Sequence, residues 1–130
     1  MILFGHSFIQ NTSFFHVTSI DAISSTPPSS MLFLEFQKEN LEIIDHLQRN
    51  HIKFALYVKS ITQVIYAANL GTSFIVLDKA LAKTAQNIAE NYLFDAKILA
   101  KIDTDEEIEE MALLNIDGVI YPNAIIKINS

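Results

Sequence analysis

The chain has 130 residues, enough for one domain with its own core. Half of them are apolar, 18% are charged and the net charge is −6, which argues against disorder and against a phosphate-backbone partner. With no cysteine there is no disulfide scaffold, thiol nucleophile, Cys-based zinc site or iron–sulfur cluster.

No apolar run reaches the length of a membrane span, and the opening Met1-Ile2-Leu3-Phe4 lacks the basic flank of a signal peptide. The expected setting is the cytoplasm, with no membrane and no nucleic acid as partner. The mean hydropathy of +0.26 is high for so small a soluble chain. It points to apolar surface covered by another protein, most simply a second copy in a homodimer.

Residues 1–30 carry one formal charge, Asp21, and end in Ser24-Ser25-Thr26-Pro27-Pro28-Ser29-Ser30, which continues neither helix nor strand. Within them, Ile2 to Phe8 and Phe14 to Ile20 are rich in β-branched and aromatic residues, with a turn-like stretch from Ile9 to Ser13 between. This predicts an N-terminal β-hairpin followed by a loop. Thirty residues are too few for a separate domain, so 1–130 is read as one domain whose core is 31–130.

That core alternates. Met31 to Phe36 reads as a buried strand, then a helix from about Asn40 to Arg49 presents Leu41, Ile44 and Leu47. Phe54 to Val58 is the next strand. Ser60 answered by Gln63 is a capping box, and that helix runs to Leu70 with Gly71 as its stop. Ser73 to Leu77 is the third strand, and Asp78 is expected to cap the long helix that follows. Lys97 to Ile102 is the fourth strand. Thr104 answered by Glu107 is a second capping box, and Gly118 to Tyr121, ended by Pro122, is the fifth strand. The expectation is an α/β fold: a mostly parallel five-stranded sheet with flanking helices, flavodoxin-like, preceded by the hairpin. The alternative closure is half of a (β/α)₈ barrel.

Met31 to Pro122 resembles a response-regulator receiver domain, with Asp78 where the phosphoacceptor ends strand three and Met111 to Pro122 similar to the family's last helix-to-strand passage. The resemblance implies a degenerate receiver. Glu35-Phe36 replaces the acidic pair, Tyr121 replaces the essential lysine, and only eight residues follow Pro122. A shorter stretch, Lys97 to Asp103 with Ile116-Asp117-Gly118, is similar to the pyruvate-kinase-type barrel. It would put Lys101 at the catalytic lysine and Asp103 at the metal-binding acid.

The polar residues at the strand ends are Glu35, Lys59, Asp78, Lys101, Asp103 and Tyr121. Parallel strands would bring them to one rim, the usual ligand edge of such sheets. Lys59 and Lys101 suit a phosphate or carboxylate, and Glu35, Asp78 and Asp103 offer oxygen ligands to a divalent cation such as Mg²⁺. The competing view makes Asp78 an N-cap and the rest solvated strand ends. His6 and His16 would face each other in a symmetric hairpin, either as core histidines or, with a third ligand, as a metal pair. Three glycines allow neither phosphate-loop fingerprint, no catalytic triad is visible, and no organic cofactor is implied. The reading is a non-catalytic interaction or regulatory module. The alternative is a small enzyme or binding protein for a phosphorylated or carboxylated metabolite.

Overall fold

The computed structural model describes residues 1–128. Eight strands form one all-parallel sheet: β1 (Ile2–Phe4), β2 (Phe14–His16), β3 (Met31–Glu35), β4 (Phe54–Tyr57), β5 (Phe74–Asp78), β6 (Lys97–Lys101), β7 (Gly118–Ile120) and β8 (Ile125–Lys127). The helices are α1 (Ile20–Ile23), α2 (Leu41–Arg49), α3 (Ile61–Asn69), α4 (Lys79–Asn91) and α5 (Glu106–Leu113). None is long and apolar enough to cross a membrane.

The strand order is β1-β7-β6-β5-β4-β3-β2-β8. From β7 to β8 that is six strand spacings, about 29 Å if the sheet were flat. Only five residues of chain lead from Ile120 to Ile125, a reach of at most about 18 Å. The sheet is therefore curled. Across the curl Phe4 of β1 meets Phe14 of β2 with ring centroids 4.8 Å apart, although these two strands share no ladder.

Three expectations change. The sheet has eight strands, not five. The N-terminal segments are not a hairpin: β1 pairs with β7, and β2 pairs with β3 and β8, all parallel. A flavodoxin-like sheet reverses its strand order part-way, whereas β2 to β7 run in unbroken sequence. Each right-handed crossover therefore steps the same way and puts its helix on the same face. The half-barrel alternative fits this curl.

The core divides accordingly. Outside the curl, Ile43, Ile44 and Leu47 of α2, Val64 and Ala67 of α3, and Ala82, Ala85 and Ala89 of α4 pack on Leu34, Leu56, Ile75 and Ala100. Inside it, Phe4, Phe14, Phe33, Ala55, Val76, Leu99 and Ile120, one from each of seven strands, pack on one another. Strand residues alternate between these two layers, as period 2 requires.

The helix ends obey local chemistry. Ser60 Oγ accepts from Gln63 N–H at 3.2 Å, as in the expected capping box, and Gln63 Oε1 reaches back one residue further, accepting from Lys59 N–H at 2.8 Å. The second is half made: Glu107 Oε1 accepts from the Asp103 and Thr104 amides and from Thr104 Oγ1. Lys79 reaches Glu107 at 2.9 Å and is the main cause that holds its carboxyl down at about 2. The helices α2, α3, α4 and α5 each stop on a left-handed residue, His51, Gly71, Leu93 and Asn115. At three of these the next amide reaches back to the last turn, as in Ile52 N–H to Leu47 O at 3.0 Å, Phe94 N–H to Ala89 O at 2.9 Å and Ile116 N–H to Met111 O at 3.1 Å.

Candidate functional site

The inner apolar layer decides which strand-end residues share the mouth of the curl. Two residues beyond Phe33, Ala55, Val76 and Leu99, on the same face of their strands, come Glu35, Tyr57, Asp78 and Lys101. Two beyond Phe14 comes His16. Each of these five ends its strand, so an apolar floor carries a polar rim at the carboxyl edge. The register pairs Glu35 with Tyr57 and Asp78 with Lys101.

Tyr57 sits at the centre of the rim. Its hydroxyl donates to Asp78 Oδ1 at 2.8 Å. The Lys101 Nζ lies 4.7 Å from the Tyr57 ring centroid, close enough for a cation–π attraction. Phe33 stacks on the same ring at 6.4 Å, and His16 meets Phe33 edge-on at 5.3 Å. Burial, the hydrogen bond to Asp78 and the charges of Asp78 and Glu35 push the Tyr57 phenol up to about 12. Burial also pulls His16 below its ordinary value, with Glu35 opposing and Lys127 adding to the fall, so its neutral form is favoured. Among the described residues Lys101 has no carboxylate within 4.0 Å.

The expected capping bond is not there. Asp78 occupies the N-cap position of α4, yet its side chain makes no capping bond. A carboxylate at that position normally satisfies a first-turn amide; here it is turned onto Tyr57. Asp78 is thus the N-cap residue by position, as expected, but without the expected side-chain capping bond.

A second group lies beside the first. His6 accepts from the Phe8 amide through Nδ1 at 3.0 Å, which leaves Nε2 facing Asp105 Oδ1 at 3.3 Å. Asp105 also accepts from the Tyr121 hydroxyl. That bond is the main cause that lowers the Asp105 carboxyl, while burial and Asp105 push Tyr121 up to about 12. His6 and Tyr121 have ring centroids 5.8 Å apart. Both nitrogens of His6 are thereby engaged in tying the chain after β1 to the start of α5.

Of the residues read from sequence, Glu35, Asp78 and Lys101 come together on the mouth. Tyr121 joins His6 instead and packs against the outer layer. Lys59 and Asp103 follow their strands as exposed loop residues, each linked through its backbone amide to the helix that follows. His6 and His16 do not face each other, because β1 and β2 are not paired. Among the described residues no three His, Cys, Asp or Glu side chains group so as to hold a metal ion, so the Mg²⁺ and two-histidine arrangements find no geometry here. Tyr57 was missed. The parity that selects Glu35 and Lys101 selects it too, since it also ends its strand.

Replacing Asp78 by Asn is expected to lower the Tyr57 pKa while leaving it above 10, because burial remains. Tyrosine ring carbon shifts followed through alkaline pH would show this. An unmoved Tyr57 titration in that variant would mean the carboxylate does not act on the phenol.

No known protein family matches this sequence, and no curated protein matches it.

Proposed function

We propose that the mouth binds a small metabolite carrying a phosphate or carboxylate group. Lys101 meets the anion, and Glu35, Tyr57 and Asp78 take the ligand's hydroxyl or amine donors. The observation that supports this most is the state of Lys101: a half-buried residue with its ammonium on an aromatic face, without an acid partner among the described residues, in a rim that also carries two carboxylates. A rim of purely structural charges would be expected to neutralise itself in ion pairs, as Lys79 does with Glu107 and Glu110. The diversion of Asp78 away from its helix is a second support.

The test is a thermal-shift series with inorganic phosphate, a three-carbon sugar phosphate and a small dicarboxylate. A ligand at 100 times its Kd adds about 2.7 kcal/mol to the folded state, a shift of several degrees in Tm. Lys101→Met is expected to fold and to lose the response. Equal shifts in both proteins, or none in either, would remove this reading.

The interaction-module reading draws on different residues. Tyr92, Leu93 and Leu113, at the ends of α4 and α5, are 76%, 85% and 77% exposed, more apolar surface than a solvated helix end needs. A homodimer through that end would show in sedimentation as twice the chain mass, reduced to one by Leu93→Glu.

A further inference from the structure

The mouth uses the carboxyl ends of the strands. The opposite end, where β3 and β4 begin, carries a separate hollow of about 520 Å³, within the ~300–1,000 Å³ range typical of small-molecule sites. It is about twice the size of the 250 Å³ space under the chain between β1 and β2.

Its two walls are each tied by local backbone hydrogen bonds. On one side the chain after α1 folds into successive short turns: Ser25 N–H to Ala22 O at 3.0 Å, Thr26 N–H to Ile23 O at 3.1 Å and Ser30 N–H to Pro27 O at 3.3 Å. Pro27 and Pro28 bring fixed φ angles and no donor. These three backbone bonds close within the segment itself. On the other side the chain leaving α2 turns back through His51 and Ile52, with His51 N–H to Gln48 O at 3.3 Å and Ile52 N–H to Leu47 O at 3.0 Å. Leu32 and the half-buried Ile23 and Ile52 supply apolar lining.

The charge of this hollow runs against that of the chain. Among the described residues no Asp or Glu lines it; Lys53 and His51 do. On a protein of net charge −6, an acid-free recess with an ammonium at its edge is a local exception. Among the described residues Lys53 forms no ion pair.

We propose that this hollow is a second binding site, for a small amphipathic anion. An aromatic or branched apolar body lies against Ile23, Leu32 and Ile52, and a carboxylate or sulfonate meets Lys53 and His51. Apolar contact supplies affinity, and the single charged corner fixes orientation. The site is a strand length from Lys101, so both can be filled at once and neither depends on the other.

The probe is 8-anilinonaphthalene-1-sulfonate added to the intact native chain. The expected result is saturable binding of one dye per chain, with the thermal unfolding transition retained. Lys53→Glu is expected to weaken it at least tenfold, and Lys53→Gln less. Ser24→Trp, which places an indole in the recess from an exposed position, should abolish it. Benzenesulfonate should displace the dye and benzyl alcohol should not. Lys101→Met should bind it as the parent does, which separates this site from the mouth. Dye binding unchanged in Lys53→Glu and Ser24→Trp, lost in Lys101→Met, or present only where the unfolding transition has vanished would overturn the proposal.

Discussion

Phe14→Ala is expected to destabilise the fold by about 3–5 kcal/mol. Phe14 is fully buried and forms a three-ring cluster with Phe4 at 4.8 Å and Phe74 at 5.5 Å; Phe4 and Phe74 are themselves 5.4 Å apart. Those rings belong to β2, β1 and β5, which lie far apart along the sheet order and touch only because the sheet curls. Loss of the ring opens a void on the inner face, where neighbours held in parallel ladders, β5 on both sides and β1 against β7, cannot fully close it. Aromatic edge contacts worth about 0.5–1.5 kcal/mol are lost as well. Against a total stability of about 5–15 kcal/mol for a domain, this is a large share. Urea unfolding should show a lower midpoint at unchanged slope. Phe8→Ala, at a residue 87% exposed, should move it by no more than about 0.5 kcal/mol. Equal effects from the two variants would mean that the inner layer is not packed as described.

The contrast between Phe14 and Phe8 also shows where the sequence was legible. The alternation from Met31 to Tyr121 carries its own signals, a continuous apolar run for each strand and a capping residue for most helices. The strands β3 to β7 and the helices between them were therefore readable. Curl is not written locally. It follows from how β1, β2 and β8, three residues each, find partners far away, and segments that short carry no periodicity to read. Phe and Ile on both sides of a turn-like stretch look like a hairpin whichever strands they join. Ile125 to Lys127 follows a proline and reads as a tail. The helix stops were half legible for the same reason. Gly71 announces a left-handed residue, while His51, Leu93 and Asn115 adopt that conformation because the returning amide and the next strand hold them there.

The mouth was legible only as far as charge was used as the guide. Glu35, Asp78 and Lys101 stand out as charged strand ends, and so do Lys59 and Asp103, which lie beyond the last paired residue. Tyr57 carries no charge and passes for an ordinary strand aromatic. Knowing which parity faces inward sorts these residues, and that knowledge comes from the packed inner layer rather than from any local pattern.

Gly118→Ala tests the closure from the other side. A Cβ at Gly118 would stand 2.7 Å from the Ile2 carbonyl oxygen, 2.7 Å from Leu99 Cδ2 and 3.1 Å from Ile2 Cβ. The leucine methyl can rotate away. The carbonyl cannot, because Ile2 is paired with Gly118 in the β1–β7 ladder and its own amide donates to Asp117 O at 3.0 Å. Alanine stiffens the unfolded chain and so favours folding by about 0.4–1 kcal/mol, but overpacking against backbone costs about 1–3 kcal/mol or more. The clash wins, and a net loss of stability is expected. The displaced element is β1, which carries Phe4 into the inner layer and leads into His6 at the Asp105–Tyr121 group. Amide exchange in the variant should therefore quicken first at Ile2 and Phe4, the residues of β1 that face β7, and at the Phe8 amide bonded to His6, while β3 to β5 stay protected. Uniform quickening across all strands, or none at β1, would show that the first strand does not close against Gly118.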